Sequence, residues 1–366
     1  MKKLIGLALA CSLVLTACGS GSTSTTAAPT TAPSETTAGA ATEAASNEAE
    51  TTAAAPSGEA EYNFTIGTSA TKDSAIGKTM QYAADLIAER TNGRISITCY
   101  PDSQLGSDAE LVEGVQLGNV TMVIGNTAPQ VAFVPSLALF DLPNTYDDIS
   151  VAQTVLAGFT EKMAGSFEGT QMHLCQLFPT VFRYMSSNKE IKTVDDFNGI
   201  KIRTMTNNNH MAYWNALGAT ATPLDFSELY IGLQQGLVDA QENPLDIFLS
   251  SNFYEQQKYV INTKHIAFVA TILMNQETWD SLPADLQQTL TECFTEIGQY
   301  GTKVAQEAES QNIQTVKDKD VAVIELDDAT LAAMKEKAQP VYDMVREAVG
   351  SELVDEYLAA IEASSK

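Results

Sequence analysis

The residue whose type and position promise the most specific chemistry is Arg203. It ends the run Gly199-Ile200-Lys201-Ile202-Arg203, where Ile200 and Ile202 alternate with Lys201 and Arg203 as along a half-buried strand. The guanidinium therefore stands at a strand's carboxyl end, which in open α/β sheets is where the loops leave a crevice for ligand. A planar guanidinium matches a carboxylate through two parallel N–H···O bonds, a geometry lysine cannot reproduce. Asn243, behind Gln241 and Glu242, faces the same crevice, as does Asn126, which the buried stretch 120–124 delivers together with Gly125. Ser69 lies at the outer end of another alternating stretch, residues 62–67. Such groups hold an anion rather than break bonds. His173, His210 and His265 are isolated, with no nucleophile motif beside them, and His210 reads as a capped, solvent-facing residue at a helix start. Cys11, Cys18, Cys99, Cys175 and Cys293 form no C-x-x-C pair, and no His lies at metal spacing from them. Neither metal, cofactor, disulfide nor catalysis is expected.

The surrounding elements follow a strand, helix, strand order that signals a parallel α/β sheet. Ile76, Met80, Ala83, Ala84 and Ile87 share one helical face, stopped by Asn92-Gly93, and Ile95, Ile97 and Cys99 alternate as the next strand. Ser107 and Glu110 form a capping box for a helix ended by Gly118. After Arg203, a helix over about 209–217 is closed by Gly218, and Ser227 caps a second one that Gly236 closes. Residues 283–317 read as one helix about 50 Å long, more than one small domain's diameter. The acidic helices after it, interrupted at Pro340 and Gly350, are expected to close the second half.

With 366 residues and 44% hydrophobic content, the chain can build two domains around a sizeable core. Its 21 basic and 46 acidic residues give a net charge of −25. No run of Lys or Arg supplies the basic face that nucleic acid requires. A small anion is compatible with that charge, because fields screen over about 8 Å at physiological salt and one arginine acts inside that range. At the N-terminus, Lys2 and Lys3 precede an apolar run of secretory length, so export is expected. Leu15-Thr16-Ala17-Cys18 then resembles the bacterial lipobox, which implies a lipidated Cys18 after cleavage. Residues 19–60, mostly Ser, Thr, Ala, Gly, Pro and Glu, read as a disordered tether.

Two stretches carry a wider likeness. The pattern D-x-x-G-x-K-I-R through Arg203, followed by S-E-L-Y-x-x-L-Q-x-G-x-V-D-x-Q-E-N-P-L through Asn243, resembles the solute-binding subunit of tripartite ATP-independent periplasmic (TRAP) transporters, of the C4-dicarboxylate-binding type. So does Y-P-x-S-Q-L-G over 100–106. Ala240 departs from the family's usual glycine. The resemblance implies a two-lobed periplasmic-binding-protein-like α/β fold with a hinge, a ligand cleft between the lobes and a long helix spanning both. It implies a small carboxylate ligand (a C4-dicarboxylate, sugar acid or related organic acid) delivered to TRAP membrane subunits. It also brings Arg183 to the cleft, makes Asn126 a ligand contact and packs Phe226 on the ligand's carbon skeleton. The expected organisation is a lipoprotein signal peptide over 1–18, a tether over 19–60 and a binding domain over 61–366. Lobe 1 would take about 61–182 and 268–308, lobe 2 about 183–267 and 309–366. The protein would then be extracytoplasmic, held to the cell membrane through Cys18. The alternative is an ABC-type or sensory solute-binding lipoprotein for a small anion.

Overall fold

The computed structural model describes residues 59–365. The leader, Cys18 and all of 19–60 except Glu59 and Ala60 lie outside them. Within the described residues the strands are β1 (Tyr62–Gly67), β2 (Ile95–Tyr100), β3 (Met122–Asn126), β4 (Met172–Phe182), β5 (Tyr184–Ser187), β6 (Lys201–Thr204), β7 (Thr220–Pro223), β8 (Ala240–Asn243), β9 (Tyr259–Asn262), β10 (Ala267–Asn275) and β11 (Ala322–Glu325). The helices that concern the site are α1 (Ala75–Arg90), α2 (Asp108–Gln116), α3 (Ile149–Ala164), α4 (Asn208–Ala216), α5 (Phe226–Gln234) and α6 (Leu245–Ser250).

Two sheets result, ordered β2-β1-β3-β10-β4 and β11-β9-β5-β8-β6-β7. The parallel pairs β1–β2 and β1–β3 need crossovers, which α1 and α2 provide. On α1 the buried face includes Ile76, Met80, Ala83, Ala84 and Ile87, the stripe its spacing predicts. Strand β10 runs antiparallel between β3 and β4 and is buried at every position, which explains why its sequence is apolar except at Thr271 and Asn275. In the second sheet β6 is parallel to β7 and β8, and β5 runs antiparallel between β8 and β9. The chain passes from one sheet to the other at Arg183, the single residue between β4 and β5, and returns over 263–266. The Arg183 backbone N–H donates to the Ile266 carbonyl at 3.0 Å, so the two passages are tied together.

The long helix, Ala284–Asp318, packs on α1 and β4 of the first sheet and on α6 and β11 of the second. It lies close against β4 because two of its residues lack side chains. A Cβ on Gly301 would stand 2.5 Å from Phe178 Cε2, and one on Gly298 would stand 2.8 Å from Gln176 Cγ. In the last third of the helix, Glu309 Oε2 is buried without a hydrogen-bond partner among the described residues. Burial, with the nearby Asp246 carboxylate acting in the same sense, pushes the Glu309 carboxyl up to about 7 from its ordinary 4.5. A carboxyl raised in the folded state is neutral and harmless below about pH 4.5, and its penalty is complete above about pH 7. Glu309→Gln is therefore expected to raise the melting temperature at pH 8, by an amount worth roughly 2 kcal/mol, and to change it little at pH 4.5. Melting curves of both proteins across that range check this, and equal curves at pH 8 would contradict it.

Two local expectations need correcting. Ser227 does not cap α5: the helix begins at Phe226 with Asp225 in the cap position, and no side chain makes the capping bond. The C-terminal helices do not close the second half alone. Gln339–Val349 packs against both α4 and the 3-10 segment Pro135–Asp141, and Ser351–Ser364 packs against α3. The reason is aromatic: the Tyr357 ring meets Phe140, Tyr146 and Phe159 edge-on, and its hydroxyl lies 2.6 Å from that of Tyr146. An amphipathic stripe states how much of a helix is buried and leaves its partner open. By contrast, the capping box of Ser107 and Glu110 forms as its spacing predicts.

Candidate functional site

The ends of two parallel strand pairs, β1 with β3 and β6 with β8, converge on one cavity between the sheets. Beyond β1 stand Thr68 and Ser69, and β3 ends on Gly125 and Asn126; β6 carries Arg203 and β8 ends on Asn243. The passage between sheets adds Arg183, the first residue of α5 adds Phe226, and β10 adds Phe268. All six residues singled out in the sequence, Ser69, Asn126, Arg183, Arg203, Phe226 and Asn243, line this cavity.

The two arginines are equally buried, each 1% exposed, but differently held. Arg183 is pinned. Its Nε donates to Glu242 Oε2, and its Nη2 donates to Glu242 Oε1 at 3.0 Å and to Asn243 Oδ1 at 2.9 Å. Burial would raise the Glu242 carboxyl, but Arg183 and His265 outweigh it and hold it well below the usual carboxylate range. His265 Nε2 lies 3.1 Å from Glu242 Oε2, and burial keeps its imidazole below its ordinary pKa. Arg203 by contrast has one hydrogen bond, from Nε to the Leu224 carbonyl at 2.8 Å, and no ion pair with any described residue. Burial first, with Arg183 adding to it, pushes its pKa down to about 10, so it remains a cation at neutral pH. Each guanidinium lies over an aromatic face, Arg183 at 5.4 Å from the Phe268 centroid and Arg203 at 5.9 Å from that of Phe226. Nη1 of both arginines is buried with no hydrogen-bond partner among the described residues.

Two buried cationic donors without a partner among the described residues are costly unless an anion meets them. The asparagines serve the frame more than the cavity. Asn243 Oδ1 is taken by Arg183, and its amide donates to Gln241 Oε1 at 2.6 Å. Asn126 donates to the Val269 carbonyl and accepts from the Ala128 N–H, holding the turn after β3. His210 is not solvent-facing. It is 5% exposed, with Nε2 3.2 Å from Asp141 Oδ1, and the Asn207 and Asn209 amides donate to the other oxygen of the same carboxylate. Sequence reasoning missed Glu242 as the partner of Arg183. It also missed Asp108, which enters the cavity from the first turn of α2 and whose only sign was its place at a helix start on the sheet's carboxyl edge.

The profile of the bacterial extracellular solute-binding proteins, family 7, matches residues 66–348. The chain belongs to this family. The family 7 receptors are solute-binding proteins of the TRAP type, which decides between the two readings of the sequence in favour of that type. The chain is 32% identical to the C4-dicarboxylate-binding periplasmic protein DctP of Rhodobacter capsulatus, over 80% of this chain and 88% of that one. Among solved structures, a TRAP periplasmic solute-binding protein from Desulfovibrio salexigens with bound orotic acid superposes with a TM-score of 0.80 and 30% identity, covering 83% of this chain and 99% of that one. The sugar acid binding protein of Advenella mimigardefordensis in complex with galactonate gives a TM-score of 0.80 and 26% identity, covering 84% and 100%. The two-lobed fold with its cleft is thus that of family 7, and the cavity of the two arginines occupies the cleft between the sheets.

Proposed function

We propose that this family 7 receptor captures a small organic carboxylate in the cavity and hands it to the membrane subunits of a TRAP transporter. The observation that carries the reading is the pair of buried Nη1 groups, on Arg183 and Arg203, at one cavity and without a partner among the described residues. A carboxylate satisfies them with charge-assisted hydrogen bonds, Arg203 offering the free fork and Arg183 a single further donor. Phe226 and Phe268 supply apolar faces for the carbon skeleton. Ser69 faces the same space. Asn243 and Asn126 contribute by fixing Arg183 and the turn after β3. Closure follows from the two passages between sheets, with ligand favouring the closed arrangement through its differential affinity. A melting screen of organic acids beside their neutral amides tests this. A hundredfold excess over Kd adds about 2.7 kcal/mol of stability, so a matching acid raises the melting temperature and its amide does not. Shifts from the amides as large as from the acids would contradict the reading.

The N-terminal motifs support a finer picture, in which Cys18 carries lipid and 19–60 tethers the binding domain, 61–366, to the membrane. Cys18→Ser is expected to release the protein from the membrane fraction. A protein beginning at Glu61 is expected to bind within twofold of the full mature form. Membrane retention of the Cys18→Ser protein, or a large loss of affinity on truncation, would contradict it.

A further inference from the structure

Beside its two arginines the cavity holds one carboxylate that the capture of an anion does not require. Asp108 Oδ1 accepts from Ser69 Oγ at 2.6 Å, and the side chain makes no other hydrogen bond or ion pair with a described residue. The residue is half-buried. Enclosure of the carboxyl pushes its pKa above the ordinary value, only partly offset by Ser69 and the two arginines, so its charged form gains from any further donor. Charge balance then narrows the ligand. Arg183 and Glu242 neutralise each other in their buried pair. What remains in the lining is one guanidinium without an ion pair, Arg203, and one carboxylate, Asp108; the Asp225 carboxylate, outside the lining, acts on both and adds to the negative side. A dicarboxylate brings two negative charges to a single free cation and sets the second of them in the same small cavity as Asp108. A hydroxylated monocarboxylate brings one charge for Arg203 and an O–H for Asp108.

We propose that this cavity selects hydroxylated monocarboxylates over dicarboxylates of equal length, Arg203 taking the carboxylate and Asp108 accepting a hydrogen bond from a ligand hydroxyl. The proposal rests on the carboxylate reading above and goes beyond it in naming the class and the residue that sets it. Sites built to hydrogen-bond a hydroxyl discriminate strongly against analogues lacking it, because the site's own polar group is then left unpaired.

Titration calorimetry of the wild-type protein and of Asp108→Asn with two matched pairs of acids tests it. Erythronate and succinate each have four carbons, the first with a hydroxyl on every carbon beyond the carboxylate, the second with a distal carboxylate. Gluconate and adipate form the six-carbon pair. The wild type is expected to bind the hydroxylated member of at least one pair tenfold or more tighter than its diacid. Asp108→Asn is expected to weaken that acid about tenfold and to strengthen the diacid, closing the gap, while melting curves show both proteins folded. Should Asp108 instead hold a proton and donate it to a second carboxylate, the diacid wins and the asparagine variant binds it undiminished. That outcome overturns the proposal, as does silence of all four acids or a preference that Asp108→Asn leaves unchanged. An Arg203→Ala protein in parallel separates the two levels. Binding that depends on Arg203 but not on Asp108 sinks only this proposal, whereas binding that ignores Arg203 sinks the carboxylate reading itself.

Discussion

Arg203→Ala is expected to weaken carboxylate binding by roughly two to four decades while leaving the ligand-free melting temperature close to that of the wild type. Two charge-assisted hydrogen bonds at about 1.5 to 3 kcal/mol each set the loss. The stability half of the expectation comes from what Arg203 lacks. It is 1% exposed, holds one backbone carbonyl through Nε, and leaves Nη1 without a partner among the described residues. Removing a buried cation that nothing neutralises directly takes away a desolvation penalty together with one hydrogen bond, so the ligand-free fold loses little. Titration calorimetry gives the first quantity and melting curves the second. An arginine that serves the fold gives the opposite pattern, with a lowered melting temperature and intact affinity.

Glu242→Ala is expected to do what Arg203→Ala does not. It strips Arg183 of its only ion pair with a described residue and leaves a second guanidinium buried beside Arg203, with Asp108 the one carboxylate left in the cavity lining. Breaking a buried pair from one side costs about 3 to 5 kcal/mol, because the remaining charge stays desolvated. For a body of this size that corresponds to a fall of roughly 5 to 10 °C in melting temperature. Glu242→Gln keeps an acceptor for Arg183 and for His265 and is expected to fall less. Melting temperatures of the two variants within a degree of the wild type would show that the Arg183–Glu242 pair is dispensable.

The strand ends were legible and the pairings were not, for one physical reason. Arg203 could be placed because alternation over five residues sets a strand, and a strand's carboxyl end in an α/β sheet has a known use. The long helix was legible to within a residue at each end because its apolar stripe persists without a break and Pro283 marks its start. The state of Arg183 depends on Glu242, 59 positions away in sequence, and local pattern carries no trace of that contact. The same distance effect buried His210: its N-cap, Asn207, is local, but Asp141 comes from 69 residues earlier. Asp108 was hidden in another way. An acidic residue in a helix's first turn is what the helix dipole favours anyway, so its presence there called for no second explanation.

The central claim is that Arg203 takes a ligand carboxylate through its planar fork, and Arg203→Lys tests it most directly. Lysine keeps the positive charge in the cavity and removes only the fork. The measurement is calorimetric titration of the carboxylate that most stabilises the wild type, run on wild type, Arg203→Lys and Arg203→Ala under one buffer. Binding in the lysine variant at least tenfold weaker than wild type, and much nearer to alanine than to arginine, is the predicted result. Affinities within about twofold across all three proteins would contradict it.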